Sequence, residues 1–261
     1  LNVPTISDDN VFRTTIAKST PVDATFKKIE WNTDVPSFAK GARENGFRFA
    51  RIEDGQWDPK NPDVYYFITT ESNKDAGATK PNPAEPTFSR DGGALWRLTF
   101  VDGQNPELGA KLELLLDGTE APYLSKPDNM EITTDGIVLL QEDPGNNAQV
   151  SRVFAYNIAT KKIATVAKFK DVYFSPDATV ATSKITEDEE SSGIIEVTNF
   201  FKKSASDKNS YYLLDAQIHV TAMLARPDIT DAATKLELEK LIEGGQLYLM
   251  TVADWSAISF K

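Results

Sequence analysis

Apolar residues along the chain fall into short runs rich in β-branched and aromatic side chains, each bounded by Pro, Gly, Asn or Asp. Val64–Thr70, Leu95–Phe100, Lys111–Leu116, Gly136–Gln141, Arg152–Asn157, Lys162–Phe169, Gly193–Val197, Tyr211–Ala216 and Gln246–Val252 are of this kind. Runs of this length between turn residues predict strands. One segment has a different period. Thr230 or Asp231 can cap a helix through Ile242, with Leu238, Leu241 and Ile242 as one apolar stripe and Gly244-Gly245 as its stop. The first fifty residues are weakly patterned: residues 1–10 read as a tail and Phe26–Trp31 as a strand. Between Glu71 and Gly93 lie Pro81, Pro83, Pro86 and three glycines, a long excursion of the sort that tends to serve a function.

A Pro-Asp pair recurs at 62–63, 127–128, 176–177 and 227–228, and the first three precede the strand-like runs Val64–Thr70, Met130–Thr133 and Thr179–Ser183. The aspartates are 65, 49 and 51 residues apart, and the first interval approaches the others once the Pro-rich excursion is set aside. Spacings of about 40–50 residues with several strands per unit are those of propeller blades. Unrelated turns in a β-sandwich are the alternative. The expected fold is therefore all-β and propeller-like, with an N-terminal arm or partial blade over 1–45, blades over 46–261 and one short C-terminal helix.

Composition narrows the chemistry. Hydrophobic residues are 40% and charged residues 26% of the chain, as in ordinary soluble domains. No apolar run is long enough for a membrane-spanning helix. The net charge of −11, with no basic stripe, argues against nucleic acid as a partner. Absence of cysteine excludes disulfides and thiolate metal sites, and the single His219 excludes a two-histidine site. A bound metal would need oxygen ligands, which favours calcium or magnesium. The chain starts at Leu1 and is read as a mature form or a part of a longer protein.

Three acidic clusters sit at strand edges. In Arg51-Ile52-Glu53-Asp54-Gly55, alternation places Arg51 and Glu53 on one face; that pair is either a structural ion pair or a phosphate clamp beside a metal ligand. Pro127-Asp128-Asn129-Met130-Glu131 and Gln141-Glu142-Asp143-Pro144-Gly145-Asn146-Asn147 concentrate oxygen donors, as a calcium site or any turn would. Glu187-Asp188-Glu189-Glu190 is a solvated loop or a contributor to a central pocket through Glu190, and alternation puts Asp215, Gln217 and His219 on one strand face.

As a set these stretches resemble the PhoX-type alkaline phosphatases and related bacterial propeller proteins. The resemblance is carried by Arg-x-Glu-Asp-Gly-x-Trp-Asp-Pro (51–59), Tyr-Tyr-Phe-Ile-Thr-Thr (65–70), Gly-Gly-Ala-Leu-Trp-Arg-Leu (92–98) and Lys-Pro-Asp-Asn-Met-Glu-Ile (126–132). Leu-Leu-Gln-Glu-Asp-Pro (139–144), Glu-Ser-Ser-Gly-Ile-Ile-Glu-Val (190–197), Tyr-Leu-Leu-Asp-Ala-Gln-Ile-His (212–219) and Glu-Gly-Gly-Gln-Leu-Tyr-Leu-Met (243–250) continue it in family order.

The resemblance implies a six-bladed propeller, extracytoplasmic (periplasmic or secreted), with a metal-containing phosphomonoesterase site in its channel. Arg51 and Glu53 would be catalytic, Arg51 on the substrate phosphate and Glu53 on metal. Glu53, Asp128, Glu142, Asp143 and Glu190 are the candidate metal ligands, and Arg51, Asn129 and His219 the candidate contacts to a small phosphate ester. Calcium is the expected cofactor; the family's iron has a cysteine ligand, and this chain has no cysteine. At about 45 residues per blade the chain is too short for six, so a second chain or a cleaved N-terminal segment is expected to complete the ring and cover its open edges. A non-catalytic calcium-binding scaffold and a lactonase-type hydrolase are the alternative functions.

Overall fold

The computed structural model describes residues 1–70, 93–143, 150–174, 185–186, 188–219, 230–240 and 243–261. Twelve strands among them form three antiparallel sheets. The first holds β1 (Val22–Ala24), β2 (Ile52–Asp58), β3 (Asn61–Thr69), β4 (Ala94–Phe100) and β5 (Ala110–Leu116), in the order β1-β5-β4-β3-β2. The second is a meander of β6 (Pro127–Ile132), β7 (Ile137–Glu142), β8 (Arg152–Asn157) and β9 (Lys162–Lys168). The third runs β10 (Glu189–Glu196), β11 (Ser210–His219), β12 (Glu243–Val252). The all-β expectation holds.

The sheets fan out from three inner strands. Asp54 accepts from the Met130 backbone N–H at 3.0 Å and Gln56 from that of Ile132 at 2.6 Å. Two residues along β2 thus match two along β6, so these strands run parallel. Asn129 accepts from Gly193 N–H at 3.3 Å and Glu131 from Glu196 N–H at 3.0 Å, which aligns β10 the same way. Meanders radiating from parallel inner strands are propeller-like blades. Among the described residues the fan stays open, without a closed ring.

Apolar faces fill the gaps between blades. Ile68, Leu95 and Leu116 meet Met130, Leu140 and Phe154 between the first two sheets. Ile137, Leu139 and Val153 meet Ile194, Tyr212 and Leu214 between the second and third. Every residue of β7 is buried, because both its faces are covered; hence Ile137-Val138-Leu139-Leu140 shows no polar alternation.

The N-terminal region departs from expectation. Residues 1–10 are not a tail: Val3 and Asp9 are buried, and Asn2 bridges to Thr25. A helix α1 (Asp9–Thr15) sets Phe12 edge-on against Trp96 of the first sheet at 5.4 Å. The strand here is β1, upstream of Phe26–Trp31. A second helix, α2 (Val35–Asn45), starts at Asp34, whose carboxylate accepts from Ser37 N–H at 3.0 Å. None of its residues is buried, so no strong core stripe marked it; the Asp-x-Pro start was the available sign.

The C-terminal helix spans Ala232–Glu239, and Asp231 caps it by accepting from Thr234 N–H at 2.7 Å. Of its expected stripe, Leu238 falls within the helix, whereas Leu241 and Ile242 lie outside the described residues, as do nearly all of the Pro-rich excursion and the segments holding Pro176-Asp177, Thr179–Ser183 and Pro227-Asp228. The two described Pro-Asp pairs are not equivalent. Pro62-Asp63 lies in β3, second in its blade from the inner edge, whereas Pro127-Asp128 opens the inner strand β6. The two described pairs therefore do not mark the same position in each blade.

Candidate functional site at the mouth of the inner strands

Because β2, β6 and β10 run parallel, Glu53, Asp128 and Glu190 near their starts share one end of the fan. The antiparallel neighbours β7 and β11 finish at that end, which delivers Asp143 and His219 to it. Five segments from three blades thus converge on one mouth.

β-Bulges aim two of these acids. In β2 the register slips between Ile52 and Gly55, so Glu53 and Asp54 together oppose one residue of β3. In β6 it slips between Pro127 and Asn129, leaving Asp128 as the extra residue. β10 carries a third slip between Ser192 and Ile195, containing Gly193 at φ +59. Bulges re-aim side chains that a regular pleat would send elsewhere. The positive φ favours glycine there, and a Cβ on Gly193 would stand 2.7 Å from an Asp215 carboxylate oxygen, which a shift of that side chain could relieve. Arg51, just before β2, has φ 55, and Lys126, just before β6, has φ 45. Non-glycine residues rarely occupy this region, and such strain tends to collect at functional sites.

The electrostatics are those of under-compensated acid. Asp128 is pushed up to about 6, first by burial, then by the like charges of Glu53, Asp143 and Glu190, with Arg51 opposing. Asp143 is raised by burial and by Glu190 and Asp188, against Lys126 and His219. Arg51 pairs with Glu53 at 3.3 Å, and its side chain is 58% exposed. His219 Nε2 stands 3.5 Å from Glu190, whose other oxygen accepts from the Ser192 hydroxyl at 2.5 Å. Among the described residues, no group of three or more His, Asp or Glu is placed to hold a metal ion. The acids surround a common space without forming a closed shell.

Two expected residues stand differently. Glu142, adjacent to Asp143, turns the other way and is fully buried. It accepts from Arg152 Nε at 2.8 Å and Nη2 at 2.7 Å, and from Ser125 N–H at 2.7 Å. Asn129 uses its side-chain oxygen to tie β6 to β10 through Gly193. Glu187, Asn146 and Asn147 fall outside the described residues. Reading the sequence missed Lys126 as a contributor, although its place two residues before Asp128 was the available signal.

No helix among the described residues is long and apolar enough to cross a membrane. No family model matches the sequence, and no curated protein matches it. Among solved structures the chain is similar to Pseudomonas fluorescens PhoX in complex with vanadate, a transition state analogue, at 14% identity and a TM-score of 0.42. The likeness covers 69% of this chain and 31% of that one, so the chain spans less than a third of its length.

Proposed function

We propose that the mouth of the inner strands is a calcium-dependent phosphomonoester hydrolase centre of the PhoX type. The observation that supports it is the convergence of an exposed arginine with four carboxylates, among which Asp128 is lifted to about 6 by burial first and by the like charges of Glu53, Asp143 and Glu190 second. In chemical type the donors suit a hard cation: oxygen from Glu53, Asp128, Asp143 and Glu190, one imidazole and no thiol anywhere in the chain, though among the described residues no three of them are already placed as ligands. Those four acids would hold calcium, and Glu142, committed to Arg152, would not. Iron with a cysteine ligand does not fit.

Calcium, when bound, supplies charge neutralisation for the phosphoryl group. The chain's own residues do the rest. Arg51 offers a planar fork to two phosphate oxygens, and Glu53, 3.3 Å away, orients it. His219, paired with Glu190, stands where it can hold a proton near the substrate oxygens. An extracytoplasmic location and a second chain completing the ring belong to the same reading.

The test is hydrolysis of 4-nitrophenyl phosphate by the purified chain, with calcium and with a chelator. Chelator-sensitive turnover that is lost in Arg51→Ala and Glu53→Gln is the expected result. No turnover after addition of calcium and iron would overturn the reading. Calcium-dependent thermal stabilisation without turnover would instead favour a non-catalytic scaffold.

A further inference from the structure

A second cavity, of about 630 Å3, lies between the second and third sheets, against β8, β9, β11 and β12. We propose that it binds an amphiphilic anion, of which a medium-chain carboxylate is the simplest case. This does not depend on the phosphatase reading.

The volume falls within the range of small-molecule sites. Phe169, Phe174 and Leu214 form apolar walls, and the two phenylalanine rings hold each other edge-to-face at 5.0 Å. The charge of the lining is the second observation. The protein carries a net −11, yet among the described residues every charged one lining this cavity is basic: Arg152, Lys168 and Lys170. Arg152 is already bound to Glu142. The two lysines are exposed, and the Lys168 contact to Asp171 at 2.5 Å is an exposed i,i+3 pair of small net worth.

The inner end is unsuited to an anion. Ser151 lines it, and directly behind, Glu189 accepts from Ser151 N–H at 2.7 Å while Glu142 is buried nearby. A ligand would therefore lie with its tail inward and its anionic head between Lys168 and Lys170. That orientation matches apolar surface to apolar wall and charge to opposite charge.

Titration of the full chain with sodium decanoate below its micellar range, followed by calorimetry and thermal shift, tests this. Saturable one-to-one binding is expected, with 1-decanol roughly tenfold weaker because it lacks the charge. The double variant Lys168→Gln/Lys170→Gln, exposed and so without effect on folding, should weaken decanoate roughly tenfold and leave decanol unchanged. Ala216, 7% exposed, lines the cavity; Ala216→Leu should abolish binding of both. Absence of saturable binding, equal affinity for decanol and decanoate, or full decanoate affinity in either variant would overturn the proposal.

Discussion

Two pairs of adjacent acids, Glu142-Asp143 and Glu189-Glu190, divide between opposite sides of the same backbone. Glu142 and Glu189 point between the sheets, where they are 0% and 1% exposed. Asp143 and Glu190 point to the mouth, where their like charge helps to raise Asp128. The interior acids are answered by fixed donors: Arg152 and Ser125 for Glu142, and Ser151 for one oxygen of Glu189. At the mouth Glu53 pairs with Arg51 and Glu190 with Ser192 and His219, yet the acids still raise Asp128 by their like charges. Acids satisfied by the protein hold blades together, whereas acids that repel leave charge for a cation or substrate to offset. Neighbours in sequence thus serve opposite ends because a strand alternates its faces.

The interior side should break hardest. Arg152 holds Glu142 and also donates to the carbonyls of Pro122 and Tyr123 at 3.0 and 2.7 Å. Arg152→Ala should cost about 3–5 kcal/mol by urea unfolding, since it strands a buried carboxylate. The paired change Glu142→Leu/Arg152→Met should recover most of that loss. A cost under about 1 kcal/mol for the single variant would erase the distinction between the two sides.

Glu189 carries the pH dependence. Burial lifts it from its ordinary 4.5 to about 7, and its second oxygen has no hydrogen-bond partner among the described residues. A raised carboxyl favours the protonated native form, so the native state binds more protons than the unfolded chain between those values. Stability should fall by about 2–3 kcal/mol as pH rises from about 4.5 through 7. Glu189→Gln should flatten that slope in unfolding measurements at successive pH values; an unchanged slope would place the titrating group elsewhere.

The mouth should respond to calcium rather than to truncation. An ion held only by the native state raises stability by about 2.7 kcal/mol at a hundredfold excess over Kd. Thermal melts should show this in the parent and lose it in Asp128→Asn/Glu190→Gln. Without calcium at pH 7, Asp128→Asn alone should stabilise by less than about 1 kcal/mol, because solvent screens a half-exposed cluster. Destabilisation there would mean that Asp128 is structural after all.

Much of this was legible in the sequence, though unevenly. Arg152–Asn157 was expected residue for residue, because its continuous apolar run is closed at both ends by polar and turn-forming residues. β6, β10 and β11 extend past their expected ends at Pro127, Glu189 and His219, since backbone pairing continues through polar residues that no apolar pattern marks. Arg51 and Glu53 were legible as a pair. The division of Glu142 from Asp143 was not, for it depends on the hairpin register, Gln141 opposite Val153, that brings Glu142 beside Arg152. The bulge at Asp128 was equally hidden: one extra residue leaves no mark in composition or period. The N-terminal packing was missed because Phe12, Phe47 and Phe49 bury themselves singly around Trp96 rather than as a periodic face.

The smallest effect separates stability from function at one residue. Arg51 sits at φ 55, where an L side chain costs roughly 1–2 kcal/mol. Glycine removes that strain but loosens the unfolded chain, at about 0.4–1 kcal/mol. Both Arg51→Gly and Arg51→Ala lose the exposed pair with Glu53, worth under about 1 kcal/mol. Their difference therefore isolates the backbone: Arg51→Gly should be the more stable by about 0.5–1 kcal/mol in urea. Both should lose hydrolysis of 4-nitrophenyl phosphate equally, because the guanidinium is gone in each. If the glycine variant is more stable yet equally inactive, the strain at Arg51 is a cost retained for the side chain it presents to the mouth. If alanine is as stable as glycine, the left-handed backbone carries no cost, and strain ceases to distinguish the mouth from the interior.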